Sequence, residues 1–263
     1  MKTGATGIQE ALPVYLKSAG LHRRPYQLGE SAGLIISDSE TAIGKALSAI
    51  ELHRERLTEC VRFNPFFKEA LEPVKLDDGP LVARLMAEHS AAAGVGPMAA
   101  VAGVLADLAI REMVEHGARV AVVENGGEAA VVSNGPVDVA LQAGDEPLSR
   151  RIGFRLERFP MGVATSSGRF SHALSFGEAD AVTVFADNAG LADAAATAVG
   201  NVVKGDDEES AARRGVMTGL SIEGVQGVFV LYKETVGVGG RVPKIIGVDP
   251  VESNRLSVSL RGV

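Results

Sequence analysis

The sequence predicts an α+β fold of antiparallel sheets with helices packed on one side, built from two similar halves. Three observations carry this reading. Helical patterns group together between residues 40 and 116, whereas apolar residues alternate or run continuously from Ala118 to Val184 and again beyond Gly224. Glycine turns join the strand segments, and that is how antiparallel neighbours connect. An Ala-rich helix holding one aspartate, Asp107 in the first case and Asp193 in the second, is twice followed by a strand pair with a glycine turn.

Residues 1–20 read as a flexible N-terminal segment and 21–263 as a single domain. Ser37 and Glu40 have capping-box spacing ahead of a helix over 40–62, with Ile43, Leu47, Ile50, Leu57 and Val61 on one stripe and an end near Asn64-Pro65. EPVKLDDGP (72–80) is a loop, and a second helix covers 81–93. Gly94-Val95-Gly96-Pro97-Met98 leads into a third helix over 98–116, whose first N–H groups suit an anion. Within it, Asp107 and Arg111 have i,i+4 pairing distance. RVAVV, ENGGE and AAVVS form a hairpin, and the strand pattern continues through TSSGRFSHALS and ADAVTVFA. A fourth helix covers 191–203, closed by Lys204-Gly205, and DDEES after it reads as a solvated loop. GVQGVFVLYKET and RVPKIIGV are strands separated by the Gly-rich VGVGG.

With 46% hydrophobic residues the chain can build a substantial core. The net charge is -7, there is no Trp and there are three Tyr, so a basic groove with stacking aromatics for nucleic acid is excluded. Small polar or phosphorylated ligands remain. The single Cys60 allows no intramolecular disulfide and no multi-cysteine metal site. Gln9, Glu10 and Pro13 interrupt any apolar run near the N-terminus, and no later window reaches membrane-spanning length; the expectation is a cytoplasmic protein with no membrane contact.

Four segments could carry chemistry. Asp193 and Thr197 are four apart in a helix, so they stack on one face and could form part of an oxygen shell for Mg²⁺. Equally, Asp193 could serve the helix start and Thr197 bond a carbonyl one turn back. Glu124-Asn125-Gly126-Gly127-Glu128 is ordinary hairpin chemistry, or a glycine turn that lets a phosphate or flavin approach backbone N–H groups. In TSSGRFSH, a strand would send Ser171 and His172 to opposite faces, so they are poor partners and His172 stands alone as a base or donor. VGVGG has no following helix and is discounted as a dinucleotide fingerprint.

Taken together, GPMAAVAGVLAD (96–107), VVENGGEAAV (122–131), SSGRFSHALSFG (166–177) and ADAVTVFADNAGLADAAATAVGN (179–201) resemble the ApbE-like superfamily, whose characterised members are FAD:protein FMN transferases. The chain is most similar to a cytoplasmic, functionally uncharacterised branch of it. The resemblance implies that Asp193 and Thr197 ligate magnesium with a backbone carbonyl near Val101, and that His172 assists the transfer. It implies further that Gly96, Met98, the turn Glu124 to Glu128, and Thr165, Ser166, Ser167, Gly168 and Arg169 line an FAD site. An acceptor protein would be the partner. Three departures stand out: Ala102 replaces the family's Lys, SFGEAD follows where Asp-Pro-x-Thr-Gly is usual, and no lipobox cysteine is present. The branch therefore also admits a non-catalytic ligand-binding or accessory role, including one in sulfide assimilation into homocysteine.

Overall fold

The computed structural model describes residues 14–15, 20–141, 151–166 and 177–248. Its strands and helices follow the order β1 (Val14–Tyr15), β2 (His22–Leu28), β3 (Ser31–Ser37), α1 (Glu40–Phe63), α2 (Pro65–Glu69), α3 (Leu81–Ala93), a 3₁₀ turn at Pro97–Ala100 and α4 (Val101–Glu115). Then come β4 (Ala121–Asn125), β5 (Glu128–Val132), β6 (Val137–Ala140), β7 (Ile152–Leu156), β8 (Met161–Ser166), β9 (Ala181–Ala186), α5 (Ala189–Val202), α6 (Glu208–Leu220), β10 (Val225–Tyr232), β11 (Thr235–Gly240) and β12 (Lys244–Gly247).

Among the described residues every strand pairing is antiparallel. The main sheet has the order β11-β10-β9-β8-β5-β4-β3-β2, and β1-β6-β7-β12 form a smaller one. The connectivity of the main sheet repeats. Two strands, a group of helices and two more strands lie in sequential order from β2 to β5, and the same order recurs from β8 to β11. Consecutive strands lie side by side and antiparallel both where a tight turn joins them, as in β2–β3, β4–β5 and β10–β11, and where helices do, as between β3 and β4 and between β9 and β10.

The period-two alternation of the strands places their residues on two different cores. Ala121, Val123 and Ala130 join Ile43, Ile50, Ala106 and Ala109 of α1 and α4 on the helix side. Val122, Ala129 and Val131 join Val139, Phe154 and Leu156 of the small sheet on the other. Val182, Val184, Val228 and Val230 extend the helix-side core beneath α3, α5 and α6. The helices thus lie on one side, as the sequence predicts, while the small sheet covers the face they leave. Among the described residues no single helix is long and apolar enough to cross a membrane.

Several sequence expectations give way to the tertiary context. Ser39, not Ser37, caps α1, its Oγ accepting from Ala42 N at 3.2 Å. Ser37 is buried at the end of β3, and its hydroxyl accepts from Ser39 N instead. DDEES is no loop: Asp207 caps α6, which lays Ala211, Ala212, Gly215 and Gly219 onto the sheet. VGVGG is most of edge strand β11 and not a linker; its alternate residues face α6, with Gly237 against Ala212 and Val216. The expected Asp107–Arg111 pair is absent because Arg111 faces solvent, where Glu115 accepts from its Nε at 2.8 Å, while Asp107 turns inward. Residues 22–37, unread as strands from sequence, supply the edge of the main sheet. Of the N-terminal segment, Val14–Tyr15 pair with β6 as β1.

The two sheets meet at a fully buried aromatic triad. Phe154 of β7 lies edge-on to Phe185 of β9 and Phe229 of β10, at centroid distances of 4.9 and 5.4 Å. Truncating it opens a cavity at the only aromatic contact between the layers among the described residues. Phe154→Ala is expected to cost about 3–5 kcal/mol. Urea unfolding of the variant, read as a lower midpoint with unchanged slope, checks this; a loss below 1 kcal/mol would mean that the small sheet is loosely attached.

Candidate functional site

The site is built where α4 and α5 begin. A helix leaves its first N–H groups without partners, and each of these two helices receives them from an aspartate on the other. Asp193 Oδ2 on α5 accepts from Gly103 N of α4 at 3.0 Å, and the Ala102 N–H bonds the same carboxylate. Asp107 on α4 accepts from Ala189 N at 2.9 Å through Oδ1 and from Gly190 N at 2.8 Å through Oδ2, at the start of α5. Small residues permit the crossing: a Cβ on Gly103 would sit 2.2 Å from the Ala189 carbonyl oxygen. Asp193 therefore serves a helix start, but that of its neighbour. Its own helix is capped by Asn188, whose Oδ1 accepts from Leu191 N at 2.8 Å.

Between Leu191 and Gly200 every residue of α5 is buried except Asp193 and Thr197, which are half-buried on the same face. The Thr197 hydroxyl has no hydrogen-bond partner among the described residues, so the expected bond to a carbonyl one turn back is not formed. Met98, Val101 and Ala102 are half-buried at the mouth of α4, whereas Gly96 packs tightly against Ala70.

The hairpin β4–β5 closes the floor. Asn125 pairs directly with Glu128, leaving Gly126 and Gly127 as a two-residue turn at φ 70° and 116°. Glycine permits those angles. Asn125 reaches up to α4, its Nδ2 donating to the Ala102 carbonyl at 2.9 Å. The Glu124 carboxylate is buried and bends round the turn, where Oε1 accepts from Gly127 N at 3.0 Å. Beside them Glu128 pairs with Ala164, Thr165 Oγ1 lies 3.0 Å from Thr183 Oγ1, and Thr165 and Ser166 end β8 half-buried. Ser167, Gly168, Arg169 and His172 lie outside the described residues.

The sequence thus brings Val101, the Asn125 to Glu128 turn, Thr165, Asp193 and Thr197 to one place. It missed Asp107 as the cap of α5 and the Ala102 carbonyl as the anchor of Asn125. The recurrence of one aspartate in each Ala-rich helix was the available signal for the former. Burial dominates the electrostatics. Desolvation raises Asp193 from its ordinary 3.8 to about 7 against the opposing effect of the Gly103 and Ala102 N–H bonds, with the Asp107 charge adding to the rise. Desolvation likewise raises Asp107 to about 6, opposed by its two N–H bonds, and raises Glu128 well above the carboxylate range, helped by the charges of Asp193 and Glu124. Among the described residues no three His, Cys, Asp or Glu side chains are grouped to hold a metal. The donors near Asp193 are a carboxylate, a free hydroxyl and backbone carbonyls, all hard oxygens of the kind Mg²⁺ takes.

Comparison with known proteins fits this geometry. The family model described as AbpE bacteria matches residues 21–219. A UPF0280 protein of Methanopyrus kandleri is 44% identical over 221 residues, covering 81% of this chain and 88% of that protein. One from Methanocaldococcus jannaschii is 38% identical over 221 residues, covering 82% and 89%. The apo flavinyl transferase ApbE of Pseudomonas stutzeri superposes with a TM-score of 0.53 at 15% identity, over 88% of this chain and 95% of that one. The ApbE protein of Thermotoga maritima also gives 0.53, at 14% identity, over 85% and 96%. At these identities the likeness is one of fold.

The raised carboxyls make a pH prediction. An acid whose folded pKa exceeds its unfolded value adds stability below the unfolded pKa, and loses it as pH rises through the folded one. With a chelator present, stability should therefore fall as pH climbs from about 3.8 to about 7 through Asp107 and Asp193. Urea midpoints across that window should show a shallower fall in Asp193→Asn than in wild type; parallel curves would mean that Asp193 titrates as an exposed acid.

Proposed function

We propose, on the premise that this chain belongs to the AbpE bacteria family within the ApbE-like superfamily, that it binds FAD with Mg²⁺ in this cleft and transfers the FMN half to a hydroxyl of an acceptor protein. The observation that carries the reading is convergence. The starts of α4 and α5, the Asn125 to Glu128 turn and β8 are far apart in sequence, yet Asp193 meets Gly103, Asn125 meets Ala102 and Glu128 pairs with Ala164, and hairpin turns or helix caps alone give them no reason to meet.

Each residue then has a task. Asp193, Thr197 and the Val101 carbonyl would hold the cation, which when bound would neutralise the diphosphate and stabilise negative charge as it shifts to the leaving group. Gly126 and Gly127 have no side chain to bar a close approach of the flavin to the turn, and Asn125 fixes that turn to α4. Thr165 and Ser166 would form the opposite wall and Met98 the entrance, with Gly96 buried behind it against Ala70. His172 accepts the acceptor hydroxyl's proton as its oxygen bonds the FMN phosphorus and the phosphoanhydride oxygen leaves with AMP. Ala102, standing where the family carries Lys, favours a second reading in which the chain binds the ligand without turnover.

Asp193→Asn keeps size and hydrogen bonding but removes the charge. Calorimetric titration with FAD should show Mg²⁺-dependent affinity in wild type, weakened by about one to two decades in the variant, as expected for loss of one charge-assisted contact of about 1.5–3 kcal/mol. Equal affinities with and without Mg²⁺ in both proteins would refute the reading. FAD binding without AMP release in the presence of candidate acceptors would select the second one.

A further inference from the structure

The core between the two sheets is left open along one side. Gly237 and Gly239 of β11 lie against Val216 of α6, so Val236 and Val238, on the alternate face, are turned toward the small sheet. They stand opposite Leu231 and Phe229 of β10, both members of the core between the sheets, yet they remain 47% and 50% exposed. Ile245 of β12 pairs with the buried Phe154 and shares its inward face, and it is 45% exposed. Only Arg241 to Pro243 separate β11 from β12, so these two end strands lie on the same side of the molecule, with Val242 packed against the core where the chain crosses. Phe154 of β7 contacts β9 and β10, and β12, one strand further out, is the last strand of the small sheet among the described residues. The main sheet continues to β11, whose inward face no described strand fully covers. Three aliphatic side chains that face a core and are each half exposed at its rim need a further element to bury them.

We propose that residues 255–261 of this chain dock on that rim as a fifth strand of the small sheet, antiparallel to β12, with Leu256, Val258 and Leu260 turned inward over Val236, Val238 and Ile245. Arg255-Leu256-Ser257-Val258-Ser259-Leu260-Arg261 alternates polar and apolar residues without a break, the pattern of a strand with one buried face. Its two Arg and two Ser then face solvent. The ladder of β12 runs on to Val248, whose N–H bonds the Arg151 carbonyl, so residues 249–254 make the connection. Six residues suit antiparallel neighbours, and Asp249-Pro250 and Ser253-Asn254 are turn formers. The N-terminal segment is no rival for this rim, because it enters through β1, at the opposite edge of the small sheet. The inference stands apart from any flavin or cation.

Hydrogen exchange of the full chain, read by mass spectrometry, tests this. Amides of 255–261 should exchange at least about 100-fold more slowly than those of an unstructured peptide. Val258→Asp and Val238→Asp, on the two sides of the contact, should each abolish that protection, whereas Ser257→Asp, on the solvent face, should keep it. Protection of β9 and β10 should be unchanged in all three variants, which separates loss of the added strand from loss of the fold. Fast exchange of 255–261 in the wild type, or equal loss in Ser257→Asp and Val258→Asp, would overturn the proposal. Protection that disappears on dilution, with a dimer seen by sedimentation, would overturn it in favour of a second copy as the occupant of the rim.

Discussion

Everything at the site depends on two helix starts that satisfy each other. The first N–H groups of α4 are bonded by Asp193 of α5, and those of α5 by Asp107 of α4. An aspartate next to a helix N-terminus is favoured both by hydrogen bonding and by the helix dipole. Here each carboxylate also fixes the position of the helix that supplies the other. The contact is possible because the chain is Ala- and Gly-rich at the crossing, with no side chain at Gly103 to hold the backbones apart.

That constraint explains why Asp193 and Thr197 alone are half-open on an otherwise buried stretch of α5. The helix is pinned at its start by Asn188 and Asp107 and packed over β8 and β9, so its one polar face is directed at the start of α4, where Asp193 meets Gly103. Asn125 ties the turn to α4 from below. Three separately built elements are thereby held in register by side chain to backbone bonds, which suits a site needing fixed geometry.

The same arrangement concentrates acids where water is scarce. Desolvation, not pairing, dominates Asp193, Asp107 and Glu128, and each is raised. The fold tolerates this because the two-layer body beneath is large and well packed: helices cover one face of the main sheet, and the small sheet covers the other through Phe154, Phe185 and Phe229. A local cost of charge burial at a ligand site is offset by apolar burial elsewhere.

Local rules were enough for much of this in the sequence. The 3.6-residue stripe of Ile43, Leu47, Ile50 and Leu57, the breaks at Pro80 and Gly94 around the 81–93 helix, and the Asn125 to Glu128 hairpin all follow from neighbouring residues, and the structure has them. So does the i,i+4 placement of Asp193 and Thr197 on one face. The errors arise where a distant element decides. Ser37 looked like a cap until β3 buried it; DDEES looked like a loop because the sheet that receives Ala211 and Gly215 is formed by strands on either side of it in the chain. VGVGG carries no strand propensity of its own and becomes β11 because β10 offers it a ladder and α6 needs small residues beneath it. Asp107 could be matched from sequence only with Arg111, four residues away; its true partners are the N–H groups of Ala189 and Gly190, 82 and 83 residues on. Hydrophobic period and turn chemistry are written within a dozen residues and are legible there, whereas a helix terminus that needs an acceptor does not specify, in its own residues, which distant carboxylate will reach it.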